Sequence, residues 1–158
     1  MNIKILDNFL DKEYFNFLNS EFLSSKFPWY FQKGKVFEND GNYQYTHLFF
    51  DANKINSNYF NLIEPFLLIL NIKSLVKVKL NLTSKESIFK KFNLHTDVNF
   101  DCNTAVFYLN TNNGKTIFEN EEVDSVENRI VKFSSNLKHS GTSTTDAPYR
   151  MVLNLNYF

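Results

Sequence analysis

Arginine is almost missing from this chain: Arg129 and Arg150 stand against 15 lysines. Histidine is as scarce, with three residues, and there is one cysteine, Cys102. A lone cysteine excludes an internal disulfide, so a reducing, cytoplasmic setting is expected. Four glycines and three prolines, thinly spread over 158 residues, leave nothing from which to build a linker or a low-complexity tract. Neither sign of charge is in excess, with 17 basic and 17 acidic residues. Proteins that live on phosphate backbones carry a basic surplus or stripe, so no nucleic-acid partner is indicated. The longest apolar stretch, "PFLLILNI" (65–72), is far shorter than the ~20 residues of a membrane span. The start "MNIKILDNFLDKEY" has no signal-peptide pattern.

What is present in quantity is aromatic: 18 Phe and 8 Tyr, enough for a large core in one domain spanning 1–158. "DKEYFNFLNSEFLSS" (11–25) sets Tyr14, Phe15, Leu18 and Phe22 at helical spacing behind a potential Asp11 cap. "NSNYFNLIEPFLLILNI" (56–72) reads as a second helix that Pro65 bends or restarts. "WYFQK" and "YQYTHLFF" between them are extended. From residue 75 the pattern turns to short strands: "LVKVKLNLT", "TAVFYLN", "KTIFE", "RIVKF" and "YRMVLNLNYF". "NTNNG" (110–114) reads as a hairpin turn, since Asn and Gly accept positive φ. The expected class is mostly β with flanking helices (α+β), a sandwich or barrel with two helices on one sheet; 1–74 would support a core at 75–158.

The chemistry gathers around "FNLHTDVNF" (92–100). If "LHTDV" is extended, His95 and Asp97 project from the same face. "NLKHSGTS" adds His139 where a later strand returns beside the first. Two histidines and a carboxylate leave coordination positions open, as in non-haem Fe(II) oxygenases, and the same donors also suit zinc. Arg150 begins the last strand, and its planar fork grips a carboxylate in a way lysine cannot. On that strand Arg150, Val152, Asn154 and Asn156 share one face and Met151, Leu153 and Leu155 the other. The polar face is expected to line a cavity, with Tyr108 of "TAVFYLN" offering its hydroxyl. Arg129 is expected to be structural.

In the order "HTD", "TAVFYLNTNNGKTIFE", "NRIVKF", "KHSGTS" and "YRMVLNLNYF", the chain from about Leu75 onward resembles the 2-oxoglutarate- and Fe(II)-dependent oxygenases. Within them it is similar to the prolyl-4-hydroxylase-like branch, in the small form carried by marine bacteria and their phages. The resemblance implies a double-stranded β-helix (jelly roll, cupin-like) enclosing iron bound by His95, Asp97 and His139. It implies that Arg150 holds the distal carboxylate of 2-oxoglutarate, with Tyr108 a further contact. Members often carry a second tyrosine where this chain has Asn81; Asn81 and Asn154 are candidate contacts in its place. The implied activity is O₂-dependent hydroxylation of a peptide, peptidyl-proline included, or of a small metabolite, coupled to decarboxylation of 2-oxoglutarate to succinate. Trp29, Tyr30 and His47 are expected to wall the substrate side, with loop 98–103 as a second lip. A non-catalytic β-sandwich module, such as a phage structural protein, and a zinc-dependent hydrolase are the alternatives.

Overall fold

The computed structural model describes residues 3–35 and 41–158. Helix α1 (Lys12–Phe22) starts where Asp11 caps the Tyr14 amide at 2.9 Å, and it buries Phe15, Leu18 and Phe22. The second expected helix is shorter than 56–72: a 3₁₀ turn at Phe60–Leu62 precedes α2, only Glu64–Ile69. Pro65 stands in the first turn of α2, where its missing N–H is not needed, so it restarts the helix rather than bending it.

Eleven strands account for the rest of the regular structure among the described residues. The first four are β1 (Lys4–Leu6), β2 (Tyr30–Gln32), β3 (Gln44–Asp51) and β4 (Lys54–Ile55). Then come β5 (Leu75–Ser84), β6 (Asn103–Tyr108), β7 (Lys115–Phe118) and β8 (Glu122–Asp124). The last are β9 (Arg129–Ser134), β10 (His139–Gly141) and β11 (Tyr149–Tyr157). The large antiparallel sheet runs β1-β9-β6-β11-β5-β3-β2, with β4 paired to β3; the small one runs β10-β7-β8. The resulting architecture is the double-stranded β-helix that the resemblance implies.

Period-two alternation divides each central strand between two environments. Val78, Leu80, Ala105, Phe107, Met151, Leu153 and Leu155 face the helices and form the main core with Phe15, Leu18, Phe22 and Phe66. The opposite face carries Val106, Tyr108, Val131, Phe133 and Val152, which meet Phe118 and Val123 of the small sheet. Farther along that inner face the residues turn polar, and there the two sheets stand apart.

The "NTNNG" segment is not a hairpin turn. It carries the chain from β6 in the large sheet to β7 in the small one, and none of its residues has positive φ. Side-chain amides hold it instead: Asn112 Oδ1 accepts from the Gly114 amide at 2.9 Å, and Asn113 Oδ1 accepts from the Thr145 amide at 2.9 Å. The tight two-residue turn lies elsewhere, at Ala52 and Asn53 between β3 and β4, both in the left-handed region.

Phe107 is the pivot of the helix-side core. It is fully buried, with ring centroids 5.0 Å from Phe66 and 6.1 Å from Phe9 and Phe15. Phe107→Ala is expected to lower unfolding free energy by about 3–5 kcal/mol, read as a reduced midpoint in denaturant at unchanged slope.

Candidate metal centre and its chamber

His95 and Asp97 are not on a strand. Residues 92–98 run as a loop, touching the small sheet through single bridges of Lys91 with Thr142 and His95 with His139. The His95 amide donates to the His139 carbonyl at 3.0 Å, and the His139 amide returns a bond to His95 at 2.9 Å. This closed pair sets the two imidazoles side by side, with ring centroids 5.4 Å apart. A bend then brings Asp97 in front of both.

Both histidines are oriented in the same way. Nδ1 of His95 lies 3.1 Å from the Asn93 carbonyl, and Nδ1 of His139 lies 3.2 Å from that of Leu137. A carbonyl can only accept, so each Nδ1 carries the hydrogen and each neutral ring presents a bare Nε2. Those Nε2 atoms face Asp97, at 3.6 Å from Oδ1 for His95 and 3.6 Å from Oδ2 for His139. One ligand atom from each of the three residues falls within a 4.8 Å span. Acceptors facing acceptors at this separation call for a cation between them, either a proton or a metal ion.

The titration behaviour agrees. Burial alone would raise the Asp97 carboxyl, but the facing rings of His139 and His95 outweigh it and hold the carboxyl far below the ordinary range. Asp97 in turn raises His95 above its usual value, with burial opposing.

The cluster stands at one end of a chamber of about 100 Å³. The inner-face residues Lys79, Asn81 and Thr83 of β5 and Arg150, Val152 and Asn154 of β11 form its floor. Thr116, Ser140 and Gly141 of the small sheet form its roof, and Lys35, Gln44 and Phe92 stand at its rim, with the Lys35 ammonium 4.1 Å from the centre of the Phe92 ring. Four side-chain atoms lining it are buried without a hydrogen-bond partner: Asn81 Oδ1, Thr83 Oγ1, Ser140 Oγ and Asn154 Oδ1. Orphaned acceptors and hydroxyls concentrated in one cavity mark a place for a polar ligand.

Arg150 is 6% exposed, and burial pushes its guanidinium below its ordinary value. Nε donates to Ser125 Oγ at 3.0 Å, and Nη2 to the Lys115 carbonyl at 3.2 Å and Thr116 Oγ1 at 3.3 Å. Among the described residues no carboxylate lies within ion-pair distance of it. Two glycines make room for this side chain. A Cβ on Gly114 would sit 2.6 Å from Arg150 Cδ, and one on Gly141 would sit 3.3 Å from Nη1.

The other expected site residues fall as follows. Asn81 and Asn154 open on to the chamber. Tyr108 is fully buried behind it: the hydroxyl donates to Thr116 Oγ1 at 2.7 Å, and the ring centre lies 5.7 Å from Arg150 Cζ. Tyr108 thus reaches the cavity through Thr116 and Arg150. Trp29, Tyr30 and His47 do not line it. Trp29 packs on the helix-side core and bonds the Phe22 carbonyl at 3.0 Å. His47 spends both nitrogens elsewhere, on the Pro28 carbonyl at 2.8 Å and Ser57 Oγ at 2.7 Å, and shares a separate surface cavity with Tyr30. Val98 and Phe100 of the expected second lip border a neighbouring surface cavity reached at Asp97. Arg129 is structural, gripping the Asp7 carboxylate through Nε and Nη2.

Sequence reasoning missed Lys79, Thr83, Thr116 and Ser140. The signal for the first two was present. Lys77, Lys79, Asn81 and Thr83 alternate with Val78, Leu80 and Leu82, a strand with one polar face.

No family model and no curated protein matches the chain. Solved structures do. A prolyl hydroxylase from Trichoplax adhaerens, in complex with a hypoxia inducible factor peptide fragment, superposes with a TM-score of 0.68 at 13% identity, over 99% of this chain and 83% of that one. A viral collagen prolyl hydroxylase from Paramecium Bursaria Chlorella virus-1, in its 2OG complex, gives 0.63 at 14% identity, over 99% and 95%. A Pseudomonas putida prolyl-4-hydroxylase gives 0.64 at 13%, over 98% and 91%. The fold of this chain is therefore that of the 2-oxoglutarate oxygenases.

A histidine raised by a carboxylate stabilises the fold fully below its unfolded value, and that contribution disappears as pH rises through the folded one. Metal binding runs the other way, because the ligand nitrogens must be unprotonated. Without metal, the Tm advantage of the natural chain over Asp97→Asn is expected to shrink as pH rises above about 6.5. With saturating Mn(II) it is expected to grow over the same interval. A difference flat in pH under both conditions would show His95 and Asp97 to be uncoupled.

Proposed function

We propose that this chain is an Fe(II)- and 2-oxoglutarate-dependent dioxygenase that hydroxylates a peptide or small-molecule substrate. The observation that carries this reading is Arg150: a buried guanidinium without a carboxylate among the described residues, in a chamber that ends at two histidines and an aspartate. An arginine left alone in such a place is costly unless an anion joins it. The anion must be short enough to share the cavity with a metal ion.

The donor set fits iron. His95 and His139 would bind through Nε2 and Asp97 through a carboxylate oxygen, a donor set that leaves coordination positions open. When bound, Fe(II) supplies the oxidation, using O₂ and 2-oxoglutarate to insert oxygen into a substrate C–H bond and releasing succinate and CO₂. The rest belongs to the chain. Arg150 binds and orients the distal carboxylate, held in place by Ser125, Thr116 and the Lys115 carbonyl. Asn81, Thr83, Ser140 and Asn154 supply the remaining polar contacts. Val106, Val152 and Phe92 in the wall exclude water from the reacting end.

A zinc hydrolase would need a general base beyond the metal ligands. Among the described residues lining the chamber, Asp97 is the single carboxylate, and it is already a ligand. A scaffold without activity would have no use for a buried, unpaired arginine. Residues 1–158 act in this reading as one oxygenase domain. The lone, buried thiol of Cys102 suits a cytoplasm, and no helix among the described residues is long and apolar enough to cross a membrane.

Anaerobic addition of Fe(II) and 2-oxoglutarate to the metal-free protein is expected to produce a weak visible charge-transfer band. His139→Ala should abolish it. Arg150→Ala should raise the Kd for 2-oxoglutarate by about 10²-fold, the ~3 kcal/mol of a strong charge-assisted contact. Gly114→Ala should also weaken 2-oxoglutarate binding without touching the metal, because its methyl group displaces Arg150. Metal binding with no band in the natural chain would overturn the proposal.

A further inference from the structure

Lys79 is a cation that the chemistry above does not use. It projects from β5 on to the inner face, between Asn154 of β11 and Leu48 of β3. Two cavities share it. One is the metal chamber; the other is a small cavity of about 40 Å³ bounded by Lys77, Lys79, Asp97, Asn154 and Asn156. Lys79 therefore stands beside the metal cluster. Arg150 lies in the Thr83 row of the same face. Four residues separate that row from the Lys79 row, about 13 Å along the strand.

Among the described residues the charges facing Lys79 are few. On its own strand Lys77 faces the same way, but its ammonium is 3.8 Å from the Asp51 carboxylate. From the loop above comes Asp97, which becomes a ligand when metal binds. Asn154 and Asn156 on β11 are neutral, and the Asn154 Oδ1 has no partner. Among the described residues no carboxylate lies within 4 Å of Lys79.

We propose that Lys79 is a substrate-binding residue, and that the substrate carries a carboxylate that docks on it beside the metal. The inference rests on the oxygenase reading and narrows its substrate to an organic acid or an amino-acid derivative with a free carboxylate near the carbon oxidised. A carboxylate at this level has two possible sources, the substrate and the near end of 2-oxoglutarate, and the experiment separates them.

Protein loaded anaerobically with Fe(II) and 2-oxoglutarate is titrated at constant ionic strength with three matched pairs: propionate and propionamide, benzoate and benzamide, N-acetylglycine and N-acetylglycinamide. Binding is read from the shift of the visible band and from calorimetry. At least one acid is expected to bind at least about tenfold tighter than its amide. Lys79→Gln should remove that preference, and Lys79→Arg should keep it. The Kd for 2-oxoglutarate should change by less than about threefold in Lys79→Gln, a size small beside the loss of a charged contact. A normal band with no acid preference would overturn this inference alone. So would a Lys79→Gln variant that retains the preference. A large loss of 2-oxoglutarate affinity in that variant would assign Lys79 to the cosubstrate and overturn it as well. Absence of any band would remove the oxygenase reading and this inference with it.

Discussion

Two backbone hydrogen bonds, exchanged between His95 and His139, hold the centre of this molecule together. One partner sits on a three-residue strand, the other on a loop with no ladder of its own. The loop runs alongside 139–143 and is tied to it again where the Ser143 amide donates to the Lys90 carbonyl and the Lys91 and Thr142 backbones bridge. Both Nδ1 atoms are then spent on carbonyls two residues back in the chain, and both Nε2 atoms point one way. The metal cluster is thus set by backbone bonding and tautomer, and Asp97 needs only to bend over the top.

Around that cluster the chain places an unusual concentration of unsatisfied groups. A native interior normally pairs its polar atoms, leaving a few exceptions. Here four of the five orphaned side-chain atoms among the described residues line one chamber, with an unpaired arginine and a nearly unpaired lysine. Such an interior is stable because the apolar faces of the same strands pack against α1 and α2 on the other side, with Phe107 and Leu153 buried among rings. Stability comes from one face of the large sheet, and ligand chemistry from the other.

The strong local patterns were legible in the sequence. α1 follows its apolar spacing and its Asp11 cap, and β11 divides Arg150, Val152 and Asn154 from Met151, Leu153 and Leu155 as its alternation demands. "NTNNG" was misleading because a run of amides can close a turn by positive φ or by side-chain bonding. Tertiary contacts with Thr144, Thr145 and Asp146 chose the second. Lys79 belongs to the polar face of β5, where its lysines keep the period of its asparagine and threonine. The aromatic wall expected from Trp29, Tyr30 and His47 does not line the chamber, because the carbonyls of Phe22 and Pro28 hold Trp29 and His47 elsewhere.

The amino-acid sequence by itself determined which side chains the site has to work with. In a chain with three histidines and two arginines, the His-x-Asp pair, a later histidine and an arginine opening the last strand leave few other candidates for such chemistry. Alternation along β11 determined which face Arg150 takes. Only the tertiary structure decided that His95 and Asp97 converge from a loop rather than a strand, since that depends on a bridge to a residue 44 positions away. The sequence set Arg129 apart from Arg150, and the tertiary structure supplied the reason: Asp7 neutralises the first, and among the described residues no carboxylate pairs with the second. Charge and type are written residue by residue; whether a charge finds its partner depends on what the fold brings beside it.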